Sequence, residues 1–165
     1  MGYEKEVKDL MIPLKNYPHV PYWFTLDQVV TIMREAAIKF EGSFEPRAVL
    51  VFDEKSQLLG ILTLKDIVRG LEGDMVGDPG GASRSWQEVV GPELNRQAQK
   101  QVREVMSPFR VTVASRDSLV KALSLMLQEN VERIPVLEGN KVIGLIRLAD
   151  LFTEISGALL LKETD

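Results

Sequence analysis

Gly60-Ile61-Leu62-Thr63-Leu64-Lys65-Asp66-Ile67-Val68 decides how this chain folds, because nearly the same stretch occurs again as Gly144-Leu145-Ile146-Arg147-Leu148-Ala149-Asp150-Leu151-Phe152. The glycine, the second leucine and the aspartate are identical in both versions, and most of the other apolar positions match in kind. In each version the apolar residues near the glycine predict a buried strand, and the aspartate lies in the first turn of a predicted helix.

The similarity between the two halves extends upstream of these stretches. Val7 to Pro13 matches Val102 to Pro108, and Thr25-Leu26 matches Ser118-Leu119. Three matches in the same order indicate an internal duplication rather than a chance motif. Each copy alone is close to the size at which a single hydrophobic core is marginal, so we expect the two copies to share a core.

Hydrophobic periodicity predicts the same order of elements in both copies, a strand, a helix, a hairpin and a second helix. In copy one the expected elements are a poor strand or loop at Asn16 to Pro21, a helix from Thr25 to about Phe40, strands at Ala48 to Phe52 and Leu58 to Leu62, and a helix from Thr63 to about Leu71. In copy two they are a strand at Arg110 to Ala114, a helix from Ser118 to Glu129, strands at Ile134 to Leu137 and Lys141 to Ile146, and a helix from Leu148 to about Ser156.

The segment from Glu72 to Gln101 has no counterpart in copy one and forms an inserted arm. Its first part, Gly73 to Ser83, is rich in glycine and is predicted to be a loop. Ser85-Trp86-Gln87-Glu88 then has the spacing of a capping box, which predicts the start of a helix. We expect Trp86 to anchor the arm on the body of the protein or on a second subunit.

Composition excludes several classes of protein. The 165 residues are 45% hydrophobic and 27% charged, which is typical of a globular chain and not of a disordered one. The net charge of −4 provides no general attraction to nucleic acid, and the absence of cysteine excludes disulfides and thiolate metal sites. The sequence contains no apolar run long enough to cross a bilayer and no signal-peptide core. We therefore expect a cytoplasmic protein without membrane insertion.

The order of these motifs resembles the CBS domain, named for cystathionine β-synthase, and two copies in tandem resemble the pair called a Bateman module. The motifs that carry the resemblance are Val105-Met106-Ser107-Pro108, Arg133-Ile134-Pro135-Val136 and Gly144 to Asp150, whereas Arg47-Ala48-Val49-Leu50 in copy one lacks the proline. The resemblance implies an α+β fold of two β-α-β-β-α units around a pseudo-twofold axis. We place the first repeat at residues 1–71, the helical insertion at 72–101 and the second repeat at 102–165.

Thr63 and Asp66 have two compatible interpretations. Thr-x-x-Asp ahead of an apolar helix resembles a capping box, which by itself stabilises a helix by about 1 kcal/mol. A helix start with free backbone donors is also a site for an anion, and the resemblance implies that the threonine contacts a phosphate or ribose oxygen and the aspartate binds ribose hydroxyls.

Copy two keeps the carboxylate as Asp150 but has Arg147 in place of the threonine, which breaks the family pattern. Arginine cannot cap a helix start and is unfavourable beside the positive end of the helix dipole. Its fork of donors suits a phosphate, and it equally suits an acidic side chain, so both partners remain open.

Further candidates lie before the hairpin and before the long helix of each copy. Arg47 and Arg133 precede the hairpin strands, and Thr112 and His19 hold similar places before Ser118 and Thr25. Each of these has an ordinary alternative as a surface residue, above all the lone histidine. The resemblance implies two clefts, each joining residues from both copies. The first cleft would contain Thr63, Asp66, Thr112 and Arg133, and the second would contain Arg147, Asp150, His19 and Arg47.

The resemblance implies a regulatory module rather than an enzyme. Its ligand would be an adenine nucleotide (AMP, ADP or ATP), with no obligatory metal, and its partners would be a second copy, bound through the helices, and a protein controlled in trans. The alternatives are another adenosyl ligand such as S-adenosylmethionine or NAD, or a dimerisation module whose clefts are empty. A small nucleotide-processing enzyme is a third hypothesis, and it is disfavoured because the sequence contains no nucleophile beside a base and no P-loop.

Overall fold

The computed structural model describes residues 4–39, 48–72 and 85–163. Arg47 and the predicted loop from Gly73 to Ser83 lie outside these ranges. The chain divides into two compact units. The first, here called the middle unit, is Tyr17–Pro108, and the second, the split unit, combines Met1–Asn16 with Phe109–Asp165. None of the helices described is both long enough and apolar enough to cross a membrane.

The helices and strands follow the predicted order. In sequence they are α1 (Val7–Leu10), β1 (Ile12–Pro13), β2 (His19–Pro21), α2 (Leu26–Lys39), β3 (Ala48–Phe52), β4 (Leu58–Thr63), α3 (Leu64–Glu72), α4 (Trp86–Val89), α5 (Pro92–Gln97), β5 (Val113–Ala114), α6 (Leu119–Glu129), β6 (Arg133–Glu138), β7 (Lys141–Arg147) and α7 (Leu148–Glu163). The middle unit thus contains β2-α2-β3-β4-α3 and the split unit contains β5-α6-β6-β7-α7, so the repeated β-α-β-β-α order is confirmed.

Each unit has one mixed sheet. In the middle unit the strand order is β2-β3-β4, and in the split unit it is β1-β7-β6-β5. Both hairpins are antiparallel, and β2 and β5 each pair in parallel with the first strand of their hairpin. The segment predicted as a poor strand or loop therefore ends in a short edge strand, where its prolines remove few ladder hydrogen bonds.

The same strand positions supply the core of each unit. One face of each hairpin packs with the long helix, and the buried residues on that face include Val49, Leu62, Ile134 and Ile146. Side chains alternate along a strand, so the neighbouring residues point to the opposite face of the sheet. The candidate residues Thr63, Arg133 and Arg147 lie on that opposite face.

The segment that precedes each copy along the chain belongs to the unit of the other copy. Ile12 pairs with Leu145 in the split unit, whereas Ser107 pairs with Ile61 in the middle unit. The glycine that opens each repeated stretch permits this approach. A Cβ atom on Gly60 would lie 2.6 Å from the carbonyl oxygen of Ser107, and a Cβ on Gly144 would lie 2.6 Å from that of Ile12.

The second half of the inserted arm packs against the helices of the middle unit. There α5 packs against α3, and Lys100 Nζ donates to the carbonyl of Gly70 at 3.0 Å, near the end of α3. The N–H groups of Leu26 and Asp27, at the start of α2, donate to carbonyl oxygens of the arm at 3.0 Å. Ser85 caps α4 by accepting from the N–H of Glu88 at 3.2 Å, as its spacing predicts.

Trp86 does not anchor the arm on the body of the protein. Its side chain is 76% exposed, so the first of the two roles predicted for it is wrong. The second role, a contact with another subunit, stays a prediction.

Candidate functional site

Asp66 lies in the first turn of α3 with both carboxylate oxygens engaged. Its Oδ2 accepts the N–H of Thr63 at 3.0 Å and the Thr63 hydroxyl at 3.1 Å. The N–H of Asp66 donates in return to Thr63 Oγ1 at 3.2 Å. The capping interaction expected of the Thr-x-x-Asp spacing is therefore present, and it satisfies backbone donors at the start of the helix.

A third residue, Ser107, completes this arrangement. Its hydroxyl donates to Asp66 Oδ1 at 3.1 Å, and the Arg69 guanidinium lies 3.9 Å from the same oxygen. Only 7% of the Asp66 surface is exposed. Each oxygen of this largely buried carboxylate therefore accepts a hydroxyl hydrogen, which is also the chemistry of a bound sugar diol.

Sequence reasoning missed Ser107. The residue lies within Met-Ser-Pro, a motif that carried the family resemblance, but nothing in the sequence connects it with Asp66. The equivalent residue in the other copy is Ile12, which has no hydroxyl. The one available signal was this difference between two otherwise matched segments.

Asp150 holds the same place at the start of α7, with a different partner. Arg147 donates its backbone N–H to Oδ2 at 3.1 Å, its Nε to Oδ2 at 3.1 Å and its Nη2 to Oδ1 at 2.8 Å. This is a two-pronged ion pair, of the kind that is shorter and stronger than a neutral hydrogen bond. Of the two partners left open for Arg147, the structure shows the acidic side chain.

Cross-strand pairing corrects one equivalence drawn from the sequence. Ala48 lies opposite Thr63, and Arg133 lies opposite Arg147. Thr63 and Arg147 hold the same place in the repeat, so the counterpart of Arg133 is Ala48 and not Arg47. The alignment by sequence was wrong by one residue, and the two arginines do not hold equivalent positions.

The remaining candidates divide between the units. Thr112, exposed and just ahead of β5, belongs to the split unit together with Arg133, Arg147 and Asp150. His19, also exposed, opens β2 in the middle unit, where its ring lies 4.9 Å from that of Phe52. The structure thus brings Arg133 close to Arg147, which sequence reasoning had placed in different clefts. The two predicted clefts stay predictions.

Known proteins with related sequences or folds provide an independent comparison. The uncharacterized protein YlbB of Bacillus subtilis is 26% identical over 146 residues, which are 88% of this chain and 79% of YlbB. The cytosolic domain of the Mg²⁺ channel MgtE, solved in complex with ATP, has a TM-score of 0.61 at 24% identity, covering 92% of this chain and 49% of that one. CBSX2, solved in complex with AMP, has a TM-score of 0.59 at 21% identity, covering 98% and 99%.

The sequence profile of the CBS domain matches this chain at two places, residues 7–73 and 102–157. Both places coincide with the copies found by internal comparison, and the interval between them is the inserted arm. Together the two matches cover well over half of the sequence. The protein belongs to the CBS-domain family and carries two copies of that domain.

Proposed function

We propose that this protein is a regulatory module that binds an adenine nucleotide, of the AMP, ADP or ATP type, and transmits a conformational change to a partner. The observation that carries the proposal is the hydrogen bonding of Asp66, whose two carboxylate oxygens each accept a hydroxyl. Two structures with the same fold hold ATP and AMP, which supports an adenine nucleotide as the class of ligand.

The geometry of Asp66 suits the ribose of such a ligand. Vicinal ribose hydroxyls are two donors at fixed spacing, and a carboxylate accepts such a pair with one oxygen each. Thr63 already holds the carboxylate in one orientation through Oδ2, so little side-chain entropy remains to be lost on binding. In this proposal the ribose takes the place of the Ser107 hydroxyl on Oδ1.

The other site residues complete the proposal with smaller roles. Thr112 and Arg133 would contact the ligand held by Asp66, through a hydroxyl and a guanidinium. Arg147 and Asp150 would form a second site with the two remaining candidates, His19 and Arg47. No metal is required, because guanidinium groups can neutralise phosphate charge directly.

A second function is favoured by one observation, the ion pair between Arg147 and Asp150. A carboxylate held by a guanidinium fork has fewer lone pairs free for ribose hydroxyls, and breaking a charge-assisted pair costs free energy. On that reasoning copy two would be structural, and a module with both clefts empty would serve for dimerisation alone.

The helices of the split unit support assembly with a second copy. Exposed apolar side chains on α6 and α7 include Val120 (74%), Leu127 (70%) and Phe152 (65%). These two helices contact each other, and several large exposed apolar side chains on neighbouring helices of a globular protein favour an interaction site. We propose a homodimer through these helices, acting in the cytoplasm on a protein controlled in trans.

Calorimetry separates these functions. Purified protein would be titrated with AMP, ADP, ATP, NAD and S-adenosylmethionine, and heat with any of them identifies the ligand. Asp66→Asn should weaken that ligand about tenfold or more, because a hydrogen bond to a charged group contributes about 1.5–3 kcal/mol. The matched control is Asp27→Asn, an exposed carboxylate in the first turn of α2, which should leave binding unchanged.

The negative outcomes are equally specific. Absence of heat with all five compounds would reject the sensor in favour of the dimerisation module. Equal weakening by Asp66→Asn and Asp27→Asn would reject the site while leaving the sensor. Slow turnover of a bound nucleotide would support the enzyme hypothesis.

A further inference from the structure

The hydroxyl of Ser107 occupies an oxygen of Asp66 that a bound ribose would also need. It donates to Asp66 Oδ1 at 3.1 Å, whereas both hydrogen bonds from Thr63 go to Oδ2. The Arg69 guanidinium lies 3.9 Å from Oδ1 on a side chain that is 57% exposed, so its ion pair contributes little. Among the residues that the structure describes, Ser107 therefore makes the closest hydrogen bond to Oδ1.

The backbone of Ser107 is fixed on β4, so only its side chain can release the carboxylate. The Ser107 N–H donates to the Ile61 carbonyl, and the Ile61 N–H donates to the Ser107 carbonyl, both at 2.9 Å. A serine hydroxyl moves between staggered positions by rotation about a single bond. Ser107 is only half-buried, so water can replace Asp66 as the partner of a released hydroxyl. Release therefore requires no movement of the strand.

The hydroxyl is not needed for the packing of this segment. In the split unit the residue equivalent to Ser107 is Ile12, which pairs with Leu145 as Ser107 pairs with Ile61. An apolar side chain therefore serves the same backbone pairing. What distinguishes Ser107 from Ile12 is the hydrogen bond to the aspartate, so that bond is where a separate role should be sought.

We propose that Ser107 is an internal competitor that sets the affinity of the Asp66 site for ribose. Without a ligand its hydroxyl holds Oδ1, and a ribose hydroxyl has to displace it in order to bind there. A hydrogen bond to a charged group is stronger than one between neutral groups, so this displacement subtracts from the free energy of binding. The inference rests on the proposed function, because a competitor matters only if Asp66 binds ribose.

The test compares wild-type protein with Ser107→Ala and uses Ser85→Ala as the matched control. The control also removes one hydroxyl hydrogen bond, since Ser85 accepts the Glu88 N–H at 3.2 Å at the start of α4. Each protein is titrated calorimetrically with AMP and ATP and with their 2′,3′-dideoxy analogues, which lack both ribose hydroxyls. Urea unfolding of each protein without ligand is measured in parallel.

Opposite changes in affinity and stability are expected for Ser107→Ala. It should bind the ribonucleotides about tenfold more tightly, which corresponds to removal of one competing hydrogen bond to a charged group. It should also unfold at a lower urea concentration, because Asp66 loses a donor. The dideoxy analogues have no hydroxyl that competes with Ser107, so their affinity should not change.

The other variants separate this role from a purely structural one. Ser85→Ala should unfold at a lower urea concentration and keep the nucleotide affinity of the wild type. Ser107→Cys keeps the shape of serine but is a weak donor, so it should shift affinity in the same direction as Ser107→Ala. The cysteine variant provides the answer if the alanine variant does not fold.

Two outcomes overturn the competitor and leave the proposed sensor in place. One is ribonucleotide binding by Ser107→Ala that is equal to or weaker than that of the wild type. The other is an equal gain for the dideoxy analogues, since that gain would not come from Asp66 Oδ1. If neither protein binds any of the four nucleotides, both this inference and the adenine-nucleotide function fail. Binding by Ser107→Ala alone would support both.

Discussion

Replacing Gly60 with alanine tests the close approach on which the middle unit depends. The new Cβ would lie 2.6 Å from the backbone oxygen of Ser107 and 3.3 Å from the sulfur of Met106. The methionine side chain can move aside, but the backbone oxygen cannot, since the Ser107 carbonyl accepts the Ile61 N–H at 2.9 Å and the Ser107 N–H donates to the Ile61 carbonyl at 2.9 Å.

The magnitude follows from these contacts. Relieving the clash displaces the Ser107 backbone and weakens both hydrogen bonds, each worth about 0.5–1.5 kcal/mol. Residual overpacking adds about 1–3 kcal/mol. We therefore expect Gly60→Ala to lower the free energy of unfolding by about 2–5 kcal/mol, and the melting temperature by on the order of 10 °C.

Urea unfolding, monitored by circular dichroism, measures the change in the free energy of unfolding. Gly157→Ala is the matched control, because Gly157 lies inside α7 and a Cβ there would meet nothing within 4 Å. That substitution should stabilise the protein by about 0.5–1 kcal/mol through helix propensity. If Gly60→Ala proves as stable as the wild type, the segment around Ser107 does not pack on β4 as described.

Three further outcomes are expected. Ser118→Ala should lower the free energy of unfolding by about 1 kcal/mol, measured in urea, because Ser118 caps α6 by accepting the Lys121 N–H at 3.1 Å. Hydrogen bonding to the Ala114 N–H lowers the pKa of Asp117 below its ordinary value, against the opposing effect of burial and with a smaller contribution from the Lys121 side chain. Its stabilising effect is therefore present above the unfolded pKa and is lost as the pH falls through the folded pKa, so Asp117→Asn should destabilise at pH 7 and make progressively less difference as the pH is lowered through the folded pKa. Phe152→Asp places a charge on the proposed dimer interface and should convert a dimer to a monomer, measured as molecular mass by light scattering. An unchanged mass would show that α7 is not part of the interface.

The duplication and the element order could be predicted from sequence because they depend on local patterns. Apolar periodicity, the Thr-x-x-Asp cap and the serine cap of α6 each involve residues within one turn or one strand. The residue types alone are enough to predict such short-range interactions. The structure shows the resulting elements within a few positions of their predicted limits, except that α7 extends to Glu163 and not only to about Ser156.

Register was harder to predict. Val51 faces Gly60, nine positions later, whereas Val136 faces Gly144, eight positions later. The hairpin of copy one is thus longer by one residue, and aligning Arg47 with Arg133 by residue type missed that difference. A one-residue shift exchanges the two faces of a strand, so it changes which side chains reach a site.

Contacts between residues that are distant along the chain could not be predicted from the sequence. Ser107 is far from Asp66 along the chain, and only the packing of the leading segment brings its hydroxyl to the carboxylate. Whether Arg147 pairs with a phosphate or with Asp150 likewise depends on side-chain geometry, which residue types alone do not determine.

The segment around Ile12 packs in the split unit and the segment around Ser107 packs in the middle unit. This exchange imposes an order in which the two units can fold during synthesis. Every piece of the middle unit has been synthesised once the ribosome has passed Pro108, so the pairings of Ser107 with Ile61 and of Gln101 with Thr25 can form from that stage. Ile12 must wait for Leu145, so β1 stays without its partner until β7 has been synthesised. Contacts so remote in sequence form slowly, which leaves an unpaired edge strand exposed to chaperones or to neighbouring polysomal chains.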